Sequence, residues 1–173
     1  MNKDPRRLVE ELLGAEAASD ALMTTGLIDQ ALTHRSLGPV NNERLEFLGD
    51  ALLGLVIAEA LSQRFPDADE GELSRRRASL VNRRHLARLA RDLALGEYLR
   101  MGPGESRTGG HTRDSILCDT FEAVSGAVYQ ALGYEPARAM LLRLFDASLA
   151  AAEEQVALKD PKTRLQEYLQ SRR

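Results

Sequence analysis

The stretch of sequence that decides the fold is Asn42-Glu43-Arg44-Leu45-Glu46-Phe47-Leu48-Gly49-Asp50. It places three carboxylates, Glu43, Glu46 and Asp50, at i, i+3 and i+7 of a segment that otherwise has the apolar pattern of a helix. At about 100° per residue, the three side chains lie within roughly 60° of one another. Like charges on one helix face repel, so the arrangement costs folding free energy. We therefore interpret this acidic face as a binding site for a cation.

A second acidic pair, Asp119 and Glu122, lies three residues apart in a later helical segment. The apolar residues on the opposite face of that segment are Leu117, Phe121, Val124 and Val128. Two helices that each carry an acidic and an apolar face can pack with their acids together. Such a cluster offers only oxygen ligands, which suit Mg²⁺ or Mn²⁺ better than Zn²⁺. No Glu-x-x-His element occurs, which disfavours a di-iron carboxylate bundle.

Composition indicates one soluble globular domain. The chain has 173 residues, of which 43% are hydrophobic and 28% charged, enough for a single sizeable core. Its single cysteine, Cys118, excludes an internal disulfide and a cysteine-based metal cluster. No apolar run has the length of a membrane span, and the N-terminus lacks the apolar region of a signal peptide. We expect no membrane association and a cytoplasmic location.

Charge leaves the question of a nucleic-acid partner open. The net charge of −3 argues against one, yet 20 of the 23 basic residues are arginine. Seven of these lie between Arg75 and Arg91, and arginine favours bidentate contacts with phosphate. The alternative is a solvated basic helix face paired with acids elsewhere.

Helical periodicity runs through nearly the whole chain, and no segment alternates as a strand would. The prediction is an all-α fold in which residues 102–110 form a flexible polar loop and residues 159–161 break the pattern. The fourth predicted helix has an interruption near Asn82. The first predicted helix ends near residue 14. The following helices are predicted over residues 20–33, 42–64, 69–93, 113–132 and 135–156, and a short helical segment ends the chain.

Residues 42–50 resemble the signature of the ribonuclease III endonuclease domain. The resemblance covers about residues 5–157 in the order and spacing of that family. Further matching segments include Ala31-Leu32-Thr33-His34-Arg35-Ser36, Leu95-Gly96-Glu97-Tyr98-Leu99 and Ser115-Ile116-Leu117-Cys118-Asp119-Thr120-Phe121-Glu122-Ala123.

The resemblance implies a homodimeric enzyme that cleaves both strands of double-stranded RNA with Mg²⁺, for which Mn²⁺ can substitute. Its products would carry 5′-phosphate and 3′-hydroxyl ends with two-nucleotide 3′ overhangs, and its role would be the processing of ribosomal and messenger RNA. Duplex recognition would then depend on helix shape and 2′-hydroxyl groups rather than on base sequence.

The resemblance also implies roles for six acids. The family's metal ligands match Glu46, Asp119 and Glu122, and Asp50 and Glu122 take the catalytic positions. Glu43 and Glu70 match two auxiliary acidic positions. All six acids are present, which argues against an inactive member.

The C-terminal segment differs from the rest of the match. Residues 1–158 correspond to the endonuclease domain, whereas residues 159–173 resemble a linker and the first helix of a double-stranded-RNA-binding domain. The rest of that second domain is absent. Either truncation or a naturally shortened form would account for the missing part of the second domain.

A dimer follows from the substrate as well as from the resemblance. The two strands of a duplex are related by a local dyad, so a C₂ dimer presents two equivalent sites to two equivalent phosphodiesters. Phe47, Leu48 and Leu52 are candidates for the partner surface. The alternative is that all three belong to the core of one chain.

Two other functions remain as alternatives at this point. An all-α nucleoside triphosphate pyrophosphohydrolase also uses helical Glu-x-x-Glu and acidic pairs with Mg²⁺. A non-catalytic module that binds double-stranded RNA would have the fold without the activity, but it predicts missing acids.

Overall fold

The computed structural model describes the backbone of residues 3–14 and 16–170 and the side chains of residues 3–14 and 18–153. Within these ranges the chain forms nine α-helices and three short 3₁₀ turns, and no strand. This confirms the all-α prediction. None of these helices has an apolar stretch of the length that a bilayer crossing requires. The helices are α1 Pro5–Leu13, α2 Glu16–Thr24, α3 Leu27–Ala31, α4 Glu43–Arg64, α5 Glu70–Leu80, α6 Arg83–Asp92, α7 Pro103–Arg107, α8 Asp114–Leu132 and α9 Tyr134–Gln170.

Helices α4 and α8 form the centre of the fold and make the most extensive contact between any two helices described. Helices α2, α3, α6 and α9 pack against α8, while α5 and α9 pack against α4. Both central helices bury apolar side chains with at most a few per cent of their surface exposed. The apolar face predicted for α8 is confirmed by the buried residues Leu117, Phe121, Val124 and Val128.

Two glycines allow α4 and α8 to approach at backbone distance. A Cβ atom built on Gly49 would lie 1.8 Å from the carbonyl oxygen of Glu122. One built on Gly126 would lie 2.2 Å from the carbonyl oxygen of Leu45. Real Cβ atoms do not come this close to oxygen, so only glycine permits the crossing at both positions. The glycine of the 42–50 stretch is therefore a packing requirement.

The sequence also predicted the interruption near Asn82 correctly. Helix α5 ends at Leu80, and Asn82 caps α6 because its Oδ1 accepts the backbone N–H of His85 at 3.0 Å. The Asn82 Nδ2 donates back to the carbonyls of Ala78 and Ser79. One residue therefore satisfies both helix ends.

Three predicted boundaries were wrong. The helix predicted over residues 20–33 is two helices, which separate at Gly26, where φ is 71°. The preceding residue, Thr25, stabilises the turn because its Oγ1 accepts the N–H of Leu27 at 3.1 Å. The loop predicted over residues 102–110 contains α7, which begins at Pro103, a favourable first helical residue. The break predicted at residues 159–161 is absent.

Helix α9 continues through Pro161 to Gln170. A proline removes one backbone donor without necessarily ending a helix, and residues 155–170 are rich in good helix formers. Residues 171–173 lie outside the described part of the chain, so the predicted domain boundary near residue 158 stays a prediction.

Replacement of Gly49 by alanine should destabilise the protein by about 3 kcal/mol or more, because α4 must move away from α8 to accept the methyl group. Gly54→Ala is the matched control in the same helix, since a Cβ there has no neighbour within 4 Å. The control should be neutral or stabilising by up to about 1 kcal/mol through helix propensity. Urea unfolding measures both, and equal stabilities for the two variants would contradict the close crossing.

Candidate active site

The acids of α8 form the inner part of the candidate active site. Cys118, Asp119 and Glu122 occupy i, i+1 and i+4, and one ligand atom from each lies within 4.8 Å of the others. The Cys118 Sγ donates to Glu122 Oε1 at 3.6 Å. Helical spacing therefore places two carboxylates and a thiol on one face of α8.

Helix α4 adds Glu46 and Asp50 to the same cluster. These residues flank Gly49, which touches the backbone of Glu122, so the close crossing positions their side chains beside Asp119 and Glu122. Glu46 is half-buried and Asp50 is exposed. The charges of Asp50, Asp119 and Glu46 all act on Glu122. The structure thus brings together the four acids predicted from α4 and α8 as metal ligands and catalytic residues.

The carboxyl of Glu122 has a pKa raised to about 7 from its ordinary value of 4.5. Burial is the main cause, and repulsion from Asp50, Asp119 and Glu46 adds to it. The hydrogen bond from Cys118 acts in the opposite direction. Without a cation, Glu122 is therefore partly protonated near neutral pH.

Glu46 and Asp119 are perturbed in the same direction. Burial and then repulsion from Asp119 and Glu43 raise the pKa of Glu46. Burial also raises the pKa of Asp119, against the opposing positive charges of Arg83 and Arg35. Three carboxylates of one cluster thus resist ionisation, as like charges in a shared, partly desolvated site do.

A polar cavity of about 290 Å³ opens beside the cluster. Its acidic wall includes Glu43, Glu46 and Asp119. Its basic wall includes Arg35, whose Nη1 lies 3.5 Å from Glu43 Oε1, and Arg113, which pairs with Glu105. The cavity therefore places guanidinium groups next to the carboxylates, an arrangement suited to a phosphate held against a cation.

The two auxiliary acids have different positions. Glu43 begins α4 and lines the cavity. Glu70 begins α5 and accepts a hydrogen bond from Ser74 at 2.7 Å. No interaction among the described residues links Glu70 to the acids of α4 and α8. The predicted auxiliary role for Glu70 therefore has no support within one chain and stays a prediction.

Sequence reasoning missed two features of the site. It considered Cys118 only for a disulfide or a cysteine-based metal cluster, whereas the buried thiol contacts Glu122. Asn41 and Asn42 are both good cap residues by type; the Asn41 Oδ1 accepts the N–H of Glu43 at 3.0 Å, whereas Asn42 makes no side-chain capping bond. The Asn42 side chain lines the cavity, and its buried Nδ2 has no hydrogen-bond partner among the described residues. The i, i+4 spacing of Cys118 and Glu122 is a signal that could have found the first contact.

The donor set fits a hard divalent cation. Carboxylate oxygens predominate, and Mg²⁺ and Mn²⁺ prefer such ligands. The pKa values of Glu46, Asp119 and Glu122 are raised although the charges of Arg35 and Arg83 oppose the shifts of Glu46 and Asp119, so repulsion within the cluster is only partly offset. A cation would relieve that repulsion.

Comparisons with known proteins agree with this geometry. Residues 24–148 match a family described as ribonuclease-III-like. Ribonuclease 3 of Methylococcus capsulatus is 58% identical over 147 residues, which are 85% of this chain and 64% of that protein. Ribonuclease 3 of Vibrio parahaemolyticus is 53% identical over 148 residues, which are 86% of this chain and 66% of that protein.

Solved structures show the same likeness. The nuclease domain of ribonuclease III from Campylobacter jejuni has a TM-score of 0.74 at 40% identity, over 82% of this chain and 94% of that one. A second structure of that domain, reported with structural flexibility in the region involved in its dimer formation, has a TM-score of 0.70 at 42% identity, over 76% and 96%. The chain therefore belongs to the ribonuclease III family. It spans about two thirds of the length of the curated relatives that it matches.

The raised pKa of Glu122 predicts a specific pH dependence of stability in metal-free buffer. Between about pH 4.5 and 7 the folded state retains a proton that the unfolded state has lost, so stability falls as pH rises through this window. Because the side chain is partly exposed and solvent screens its charge, we expect the effect to be about 1–2 kcal/mol. Glu122→Gln should remove this component, whereas Glu10→Gln, an exposed control on α1, should not. Urea unfolding between pH 4 and 8 measures it, and parallel pH profiles for wild type and Glu122→Gln would rule it out.

Proposed function

We propose that this chain is an endoribonuclease that uses Mg²⁺ or Mn²⁺ to cleave both strands of double-stranded RNA in the cytoplasm. The observation that carries the proposal is the close pair Asp119 and Glu122 on α8, together with Glu46 and Asp50 of α4, whose charges act on Glu122. Its products would have 5′-phosphate and 3′-hydroxyl ends with two-nucleotide 3′ overhangs, as the family resemblance implies. Similarity to proteins named Ribonuclease 3 supports this reading.

In this mechanism Glu46, Asp119 and Glu122 would hold the divalent ion, and Asp50 and Glu122 would be the catalytic acids. When bound, the ion would supply charge neutralisation at the phosphate and would make a water molecule a better nucleophile. The carboxylates would bind and orient the divalent ion, and their negative charge would retain it in the site. Close positioning of reacting groups accounts for a large part of such rate enhancements.

Arg35 and Arg113 would bind non-bridging phosphate oxygens of the RNA. Both line the cavity beside Glu46 and Asp119, and their present partners are the exposed or partly exposed acids Glu43 and Glu105. Exposed ion pairs are weak, so exchange of a carboxylate for a phosphate oxygen costs little. Binding by phosphate contacts implies a strong dependence on salt concentration.

Both strands are cut if two copies of the chain act together. Phe47 is 81% exposed and Leu55 is 54% exposed on α4, which is unusual for large apolar side chains. The same face holds a cavity of about 180 Å³ lined by Leu48, Ala51, Leu52, Leu55, Tyr129 and Tyr134. A protruding aromatic ring and a cavity on one face form a self-complementary surface, as a C₂ interface requires. We name this surface the α4 face and propose it as the homodimer interface.

The Glu122→Gln variant tests the reaction. Loss of one ligand charge should lower the rate of Mg²⁺-dependent cleavage of a long perfect RNA duplex by about 10²–10³-fold, because several kcal/mol of phosphate stabilisation are lost. The Glu10→Gln control should cleave normally, and end mapping of its products should show two-nucleotide 3′ overhangs. Normal turnover by folded Glu122→Gln would overturn the site. Release of pyrophosphate from nucleotides, without duplex cleavage, would favour a pyrophosphohydrolase instead.

The Phe47→Ala variant tests the dimer. Removal of an anchoring aromatic ring should raise the dimer dissociation constant by about 30-fold or more, as at other interface hot spots. Val40→Ala is the control, since Val40 is 72% exposed but lies before α4. Sedimentation equilibrium measures both. An unchanged dissociation constant for Phe47→Ala would place the interface elsewhere.

A further inference from the structure

Tyr134 closes one side of the cavity on the α4 face. It is the first residue of α9 and directly follows Gly133, where α8 ends. Leu55 of α4 also lines the cavity. The cavity thus lies between the middle of α4 and the start of α9, with Tyr129 of α8 also in its lining.

A polar cluster next to the cavity holds these two helices together. The hydroxyl of Tyr134 donates to Glu59 Oε2 at 2.6 Å, and Arg138 Nε donates to the same oxygen at 3.1 Å. Glu59 lies one helical turn beyond Leu55 in α4, and Arg138 lies one turn beyond Tyr134 in α9. One carboxylate oxygen therefore fixes two consecutive turns of α9.

The protonation states of this cluster favour the bond. Hydrogen bonds from Tyr134 and then Arg138 lower the pKa of Glu59. The bond to Glu59 raises the pKa of the Tyr134 phenol. At neutral pH the phenol is therefore a neutral donor and the carboxylate a charged acceptor, and such charge-assisted bonds are stronger than neutral ones.

We propose that Glu59 and Arg138 are positioning residues for the dimer: they hold the Tyr134 ring as a preformed wall of the cavity that receives Phe47 of a second copy. The inference rests on the homodimer proposed above. Side chains that are ordered before association do not lose their freedom on binding. The strength of the dimer would then depend on residues that do not themselves have to touch the partner.

The test compares dimer dissociation constants of the whole chain by sedimentation equilibrium. Tyr134→Phe removes only the hydroxyl and keeps the ring, and it should raise the dissociation constant about threefold to tenfold. Glu59→Ala should do the same or more. The matched control is Glu153→Gln, because Glu153 also joins α9 to α4, through an ion pair to Arg64 at 2.9 Å, but lies away from the cavity lining. It should leave the dissociation constant unchanged.

A double-mutant cycle separates positioning from general destabilisation. Once Phe47→Ala has removed the ring that enters the cavity, Tyr134→Phe should no longer weaken association. Thermal unfolding confirms that each variant is folded, and Tyr134→Phe decides the matter if Glu59→Ala does not fold. The inference alone fails if Phe47→Ala dissociates the dimer while Tyr134→Phe does not affect it. If Phe47→Ala has no effect on association, the proposed dimer surface fails as well.

Discussion

The structure depends on the backbone contact between α4 and α8. Gly49 sits against the carbonyl of Glu122, and Gly126 sits against the carbonyl of Leu45. No side chain fits at either point, so the two helices meet closer than ordinary side-chain packing permits. Glu46 and Asp50 flank Gly49, and Glu122 is itself one of the contact residues. The contact that closes the core and the contact that assembles the acids are therefore the same.

This arrangement places a charge cost inside the fold. Burial raises the pKa values of Glu46, Asp119 and Glu122, and repulsion from neighbouring acids adds to the effect at Glu46 and Glu122, so ionisation of the cluster opposes folding in the absence of a cation. The apolar core that α4 and α8 share, including Leu53, Ile57 and Phe121, offsets this cost. Functional sites often hold groups that a search for stability alone would remove. The acids here fit that description, because a bound dication would offset the repulsion between their carboxylates.

The sequence predicted the parts of the site that depend on local spacing. Acids at i, i+3 and i+7 in α4, and the pair Asp119 and Glu122 in α8, share helix faces for reasons that a single helix determines. By the same step of about 100° per residue, Glu59 lies roughly 160° from Glu43 and therefore off the acidic face, and its bonds to Tyr134 and Arg138 agree with this.

What the sequence did not predict depends on contacts between distant segments. Helix α7 is held by the pairing of Glu105 with Arg113 and by a contact of 3.2 Å between Ser106 and His111, which composition alone does not reveal. Likewise, the spacing of acids does not show which of them a fold will collect. Glu43 lines the cavity, while Glu70, predicted on equal grounds, has no link to the cluster in the described part of the chain.

Helix α4 connects the proposed chemistry with the proposed assembly, because its three faces have three different roles. One face carries Glu46 and Asp50, a second carries Leu45, Gly49 and Leu53 into the core, and the α4 face with Phe47 is left to solvent. A helix is stiff over this length, so the angle between these faces is fixed at about 100° per residue. Two copies that dock through the α4 face would therefore hold their acidic clusters at one defined separation. The spacing of two cuts in a duplex would then be a property of a single rigid helix rather than of flexible loops.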